Sequence, residues 1–412
     1  MDSETAAAFS LLSAQAVRER AQRMLAIGLD DKLPHFRVNL GRLDAAVDLV
    51  IDTTRQTYPT LAVVPLHSRW RHFIVGGEDR WALIDKSTNW RDSSARARSA
   101  FDLAIVSVLL DAGAGPQWRY RTSATLESIG RSEGLALASL DMFCRGTFSS
   151  DPGNRLQADA QGLLQLSEGV LANGFQVSTS NPLVGVGGRT DLLRRLGAVV
   201  AAKPEIFGRE DKARPGGLFD HFVALVNSRA IPAAKIHSEL LHLLGPVWPS
   251  RLTLGGVPLG DSWRHPSLHT SDATSEVVPL HKLSQWLAFS LIEPLQLAGI
   301  SVTDIDGLTG LAEYRNGGLF IDTGVLALRD PADAMYEHDV AAALVVEWRA
   351  LTVALLDRLA DAMRRRLGMD QESLPLGKVL QGGTWAAGRI IAHKRRPDGA
   401  SPIKVASDGT VF

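Results

Sequence analysis

The sequence predicts a mainly α fold with a few short strands or hairpins. Three observations carry that prediction: apolar residues recur at three- and four-residue spacing in several long windows, strand-like runs are short and few, and no strand-then-helix unit repeats. The chain has 412 residues, enough for one large domain with a sizeable core.

The first helical window, 10–29, ends near Gly28. The second, 40–57, places Leu40, Leu43, Val47, Val50 and Ile51 on one face. Residues 101–112 are nearly all apolar and stop at Gly113, the pattern of a buried helix with a glycine end signal. Residues 282–298 carry Leu283, Trp286, Leu287, Leu291 and Leu295 on one side. The longest stripe runs through 338–367: Leu344, Trp348, Leu351, Leu355, Leu359 and Met363. Strand signals are RHFIVG (71–76), WALID (81–85) and GLFIDTGVL (318–326). Gly/Pro-rich loops at 204–217 and 245–260 suggest a helical subdomain at about 190–260 on a single catalytic domain of residues 1–412. The polar tail 393–412 reads as a C-terminal arm, docked or frayed.

Composition narrows the function. Apolar residues make up 45% and charged residues 22%, ordinary for a globular chain. The net charge is −1, so no electrostatic footprint for nucleic acid or a membrane surface exists. The lone Cys144 excludes an intrachain disulfide and a Cys-rich metal site. The acidic N-terminus shows no signal-peptide pattern, and no run of about 18 apolar residues occurs. A cytoplasmic protein acting on a small molecule is expected, without cofactor or metal, and of unknown oligomeric state.

Five segments place polar groups where a core or turn does not need them. In PLHSRWRHF (65–73), strand alternation puts His67, Arg69 and Arg71 on one face, an anion- or sugar-binding wall or a charged edge strand. Asp111 sits at the end of an apolar helix, where the dipole disfavours an anion by about 0.3–1 kcal/mol, so an Arg, a donor network or a substrate must compensate it. In GRSEG (130–134), Ser132 suits an N-cap and Glu133 a first turn. His281, Lys282, Gln285 and Trp286 of PLHKLSQW precede a dense cluster, Glu313, Tyr314, Arg315 and Asn316. There Gly317 and Gly318 leave room for close backbone approach. Glu347 lies on the apolar side of the longest helix and needs a partner.

Weaker signals follow. The Gly-rich turn NPLVGVGGR opens a helix with Arg189 at its mouth, suited to a phosphate, though it matches no nucleotide fingerprint. QGGTWAAGR (381–389) fits either a pocket wall or a tight helix contact.

HSRWRHF, SVLLDAGAG, RSEGLALAS, NPLVGVGGR, HKLSQW, LTGLAEYRNGGL, EWRALTV, GGTWAAGR and the closing DGTVF together resemble one family. It is the uracil-catabolism protein family of fungi and bacteria, long a domain of unknown function, and the likeness runs from about residue 15 to 412. The resemblance implies a place in a route that releases urea from uracil. More distantly, HKLSQW followed by LTGLAEYRNGGL is similar to the paired YKRAQ and ADYR motifs of the queuosine-salvage N-glycosidases. Lys282 and Gln285 match the first motif; Glu313, Tyr314 and Arg315 match the second, with Glu in place of Asp. That likeness implies a helical glycosidase-like bundle and cleavage of a nucleoside N-glycosidic bond.

The expected function is hydrolysis of a ribosylurea-type intermediate, with or without a 5′-phosphate, to urea and a ribose product. Glu313 steadies the sugar cation and orients water. Asp111 reads the urea N–H groups or serves as acid. Arg315, Arg69 and Arg71 hold sugar or phosphate oxygens; Tyr314, Trp286 and His281 shape the pocket. The alternatives are a metal-dependent ring-opening amidohydrolase using His67, His72 or His281, and a non-enzymatic sugar-phosphate-binding partner.

Overall fold

The structure is a computed structural model that describes residues 2–122, 128–209 and 212–406. It is mainly α, as the periodicity predicts. The helix Ala343–Leu367 runs through the centre, buried without a break from Leu344 to Leu356 and again at Leu359, Ala360 and Met363. Its buried Glu347 is structural: the carboxylate accepts the N–H groups of Phe36 (2.8 Å) and His35 (3.2 Å) and a contact from His265 Nε2 (3.1 Å). Against this helix pack Ala14–Leu29 and Tyr314–Asp322; the latter also packs on Trp385–Arg395. Lys282–Leu297 lies on Ser93–Leu109 and on Ala233–Leu244. Residues in the 190–260 stretch, such as Leu192, Phe222 and Ile236, belong to the same large apolar core.

The strands are short two-stranded pairs among the described residues. Phe36–Val38 runs antiparallel to Leu326–Leu328, and Glu337–His338 runs parallel to Lys404–Val405. That last pairing docks the C-terminal arm, helped by Arg396. Arg396 forks onto Asp322 (2.8 and 2.6 Å) and donates to the Ala400 carbonyl (2.7 Å). DGTVF lies outside the described residues.

The structure corrects the strand predictions. Only Ile74–Val75 of RHFIVG is strand, paired with Glu78–Asp79 across two glycines of positive φ; Arg69–Phe73 is a 3-10 turn. WALID falls inside the helix Arg80–Ser87, because the Asp79 carboxylate caps it at the Ala82 N–H (3.0 Å). GLFIDTGVL starts inside Tyr314–Asp322: Glu313 caps that helix and overrides the local strand pattern. Most of the window 10–29 is the helix Ala14–Leu29, which Ser13 caps; its first residue, Ser10, ends a separate helix, Ser3–Ser10. The apolar helix starts earlier than its apolar residues, at Ser93, and ends at Leu109.

Glycines set how closely the helices approach. A Cβ on Gly317 would lie 2.7 Å from the Trp348 ring, and one on Gly388 would lie 2.2 Å from the Arg315 carbonyl oxygen. The glycine after Asn316 is therefore needed for helix contact rather than for a ligand. Because backbone cannot yield as a side-chain tip does, Gly388→Ala is expected to cost about 1–3 kcal/mol. Urea unfolding of the variant measures it; an unchanged midpoint would show that the two helices can part freely.

Candidate functional site

The local folding around Asp111 begins with Arg189. Gly185, in the left-handed conformation, starts the helix Val186–Ala202 and turns the buried Arg189 back toward the end of Ser93–Leu109. Its guanidinium donates to the carbonyls of Leu110 (3.0 Å), Ala112 (2.8 Å), Gly113 (3.1 Å) and Val184. The first three are acceptors at and just past the end of Ser93–Leu109, and Val184 lies just before the arginine's own helix; the arginine satisfies them all. Arg189 thus positions the Asp111 loop and has no donor directed at a phosphate, which corrects the phosphate expectation.

Asp111 lies two residues beyond the helix, not in its last turn. The compensation that its position demands comes from Arg69 (Nη1 to Oδ1, 3.3 Å) and the Ser132 hydroxyl. Ser132 is therefore not the N-cap; Gly130 holds that place without a side-chain cap. Arg69 is fully buried and also donates to Ser107 Oγ (2.6 Å) and the Ser132 carbonyl (3.2 Å), with its guanidinium 5.4 Å from the Trp286 ring centre.

The 3-10 turn replaces the two-residue alternation expected for a strand. With three residues per turn, Arg69 and His72 share a side, and Arg69 Nη1 lies 3.4 Å from His72 Nδ1. Arg71 turns away to Glu293. His67 contacts Gln381 (2.9 Å) and stacks on Trp286 with ring centres 6.1 Å apart. Burial pushes His67 down to about 4 and His72 well below its ordinary value, Arg69 adding to the second shift. Both imidazoles are neutral at physiological pH.

Gln381 and Trp385 reach this point because the chain passes through a π turn, Leu380–Thr384, between two α segments. Gly382 and Gly383 let that turn press on Thr54 and Val50, where a Cβ would sit 2.9 and 2.4 Å from side-chain atoms. Both expectations for QGGTWAAGR hold at once: its glycines make a tight contact and its tryptophan faces the pocket.

These elements line a cavity, partly open to solvent, of about 470 Å³, the size of a small-molecule site. His67, His72, Trp286 and Trp385 provide ring faces. Asp111 stands on one wall, and Lys282, Glu313, Tyr314 and Arg315 on others. The docked arm, from Gly399 to Val405, closes a further side.

Glu313 is fixed by the helix that it starts. Its Oε2 accepts the Arg315 N–H (2.8 Å) and its Oε1 the Asn316 N–H (2.6 Å). Burial raises its pKa; the two N–H groups, Arg315 and Lys282 oppose that rise. Burial lowers the Lys282 ammonium, with Arg349 adding to it. Arg315 is 6% exposed and lies 3.9 Å over the Trp385 ring.

Of the residues predicted from sequence, His67, Asp111, Lys282, Trp286, Glu313, Tyr314 and Arg315 line the cavity, with Arg69 directly behind Asp111. The others serve the surrounding structure. Glu133 pairs with Arg389 (3.5 Å), and His281 Nε2 donates to the Leu11 carbonyl (3.0 Å). Gln285 accepts the Thr309 N–H (3.3 Å), and Asn316 Nδ2 donates to the Leu311 carbonyl (3.3 Å). Sequence reasoning missed Arg131 and the arm as cavity walls. Among the described residues, no three His, Cys, Asp or Glu group as a metal-holding set. No helix among them is long and apolar enough to cross a membrane.

Fold and site define a helical protein built around a small-molecule-sized cavity of carboxylates, cations and aromatic faces. The chain belongs to the family described as Protein of unknown function (DUF1688), whose profile matches residues 10–412. It is similar to Protein urg3 of Schizosaccharomyces pombe, 41% identical over 421 residues and covering all of both chains. It is also similar to Uracil catabolism protein 4 of Lachancea kluyveri, 36% identical over 412 residues and covering 92% of each. The family read from the motifs is therefore the right one.

Proposed function

We propose that this protein acts in uracil catabolism as an N-glycoside hydrolase, cleaving a ribosylurea-type compound to urea and a ribose product. The name of the Lachancea kluyveri relative supports the pathway. The likeness of HKLSQW and LTGLAEYRN to queuosine-salvage glycosidase motifs supports the bond type. The single observation that carries the reading is Glu313: a half-buried carboxylate, pinned by two backbone N–H groups, on the wall of an aromatic-lined cavity.

The reaction needs little else. The bond between the anomeric carbon and the urea nitrogen breaks, and its electron pair leaves with urea. Positive charge spreads over the anomeric carbon and ring oxygen, and a carboxylate held in place stabilises it without reorganising. Water then adds its oxygen to the anomeric carbon, and its proton completes the urea. Asp111 offers carboxylate lone pairs to the urea N–H groups while Arg69 and Ser132 hold it still.

Purified protein incubated with synthetic ribosylurea, or its 5′-phosphate, should release urea; no release from either would refute the assignment. Asp111→Asn, placed on a Glu313→Gln background to prevent turnover, should weaken ribosylurea binding by about 1.5–3 kcal/mol. Calorimetric titration with unchanged affinity would remove Asp111 from the site.

A further inference from the structure

A narrow side recess opens beside the main cavity and shares Arg131, Tyr314, Arg315, Gly399, Ala400 and Ser401 with it. Four arginines and no acidic residue line this recess. Two of them are neutralised: Arg389 by Glu133 at 3.5 Å and Arg396 by the two oxygens of Asp322. Neither Arg131 nor Arg315 forms an ion pair within 4 Å among the described residues, although Glu313 attracts Arg315 from the main cavity. The carboxylates Asp111, Glu313 and Glu337 belong to the main cavity and do not line the recess.

Unsatisfied donors gather at the same place. Arg315 Nη1 is buried with no hydrogen-bond partner, while its Nε donates to the Tyr314 hydroxyl (3.3 Å) and Trp385 holds its plane. The Ser401 hydroxyl is likewise buried and unpartnered. Leaving such groups empty is costly, and natural sites keep them for a ligand or water. The helix Arg131–Cys144 begins here without a side-chain cap, so its first-turn N–H groups add positive potential. Arg131 itself adopts φ 57°, a strained conformation for a residue with a side chain, and strain of this kind gathers at ligand clamps.

We propose that the junction of recess and cavity, bounded by Arg131, Arg315 and Ser401, binds a phosphate monoester, so that the cavity takes a sugar phosphate rather than a free sugar. The recess alone holds about 10 Å³, one water, which places the phosphate at its mouth, inside the larger space. Two guanidinium groups and a hydroxyl match the three terminal oxygens of a phosphate. The identity of the sugar rests on the N-ribosyl reading above; the anion subsite rests on the arginines and orphan donors alone.

Isothermal titration of the full chain with ribose 5-phosphate, ribose and inorganic phosphate tests it. Ribose 5-phosphate should bind at least about tenfold more tightly than either other probe, the worth of one charged hydrogen bond. Arg131→Gln should erase most of that margin, and Ser401→Ala, which removes only one oxygen, should reduce it. Equal affinity for ribose and ribose 5-phosphate would overturn the proposal, as would a margin untouched in both variants. Inorganic phosphate binding as tightly as the ester would also overturn it, in favour of a free-anion site. Binding needs no turnover, so the two readings fail separately. A retained margin without urea release counts against hydrolysis alone. Urea release with no preference for the ester counts against the subsite alone.

Discussion

Glu313→Gln is expected to fold and to lose about 10²–10³-fold in kcat, the effect of removing one preorganised group from a charge-stabilising site. The substitution keeps the side chain's shape, and one amide oxygen can still accept one of the two N–H groups at the helix start. The lost cap costs about 0.5–2 kcal/mol of stability, so the variant remains folded. The loss in rate is larger because the carboxylate's charge is needed only as the sugar becomes cationic, in a cavity where burial strengthens that interaction. Steady-state kinetics beside a urea-unfolding curve separate the two effects. A variant with the wild-type kcat would show that Glu313 is a helix cap and nothing more.

Arg349→Leu is expected to destabilise the protein by about 3–5 kcal/mol, a large share of the usual 5–15 kcal/mol. Arg349 is buried on the central helix and forks onto Asp261 at 2.9 and 2.8 Å. Asp261 also accepts Trp263 Nε1 (2.7 Å) and the Lys282 N–H (3.0 Å), and its carbonyl accepts the N–H groups of Leu280 and His281. The pair therefore anchors the start of the helix that presents Lys282 and Trp286 to the cavity. Burial pushes the Asp261 carboxyl up, but Arg349 and these donors outweigh it and hold it net well below the ordinary range. A depressed carboxyl stabilises the fold fully above its unfolded value, about 3.9, and loses that contribution only as pH falls through the folded value. In Arg349→Leu the orphaned carboxylate is relieved by protonation, so the deficit should shrink on acidification. Denaturation curves from pH 7 down to 4 measure this; a deficit below about 1 kcal/mol, or one that grows in acid, would contradict it.

Much of this architecture is legible before folding, where one physical signal dominates. The stripes of 282–298 and 338–367 announce Lys282–Leu297 and Ala343–Leu367, because a 3.6-residue period over many turns has no strand equivalent. Glu313 and Asp111 stand out because carboxylates beside apolar runs need a compensating partner. Short segments mislead. WALID and GLFIDTGVL look like strands by residue type, yet one capping carboxylate each, Asp79 and Glu313, starts a helix there. The side-chain directions of HSRWRHF depend on three residues per turn rather than two, which five residues do not reveal. Arg131 and Ser401 come together only through the docking of the arm. That is a tertiary fact without a local signature, whereas Trp385, marked as a candidate pocket wall in the sequence, is carried to the cavity by the π turn.

The most direct test of the chemistry is to run the reaction on synthetic ribosylurea in oxygen-18 water and locate the label by mass spectrometry, with the sugar trapped at once by borohydride. Cleavage of the sugar–nitrogen bond places oxygen-18 on the anomeric carbon and leaves the urea unlabelled. Label in carbon dioxide, with ribosylamine and ammonia in place of urea, would mean that water attacks the carbonyl instead, and the glycosidase assignment would be wrong.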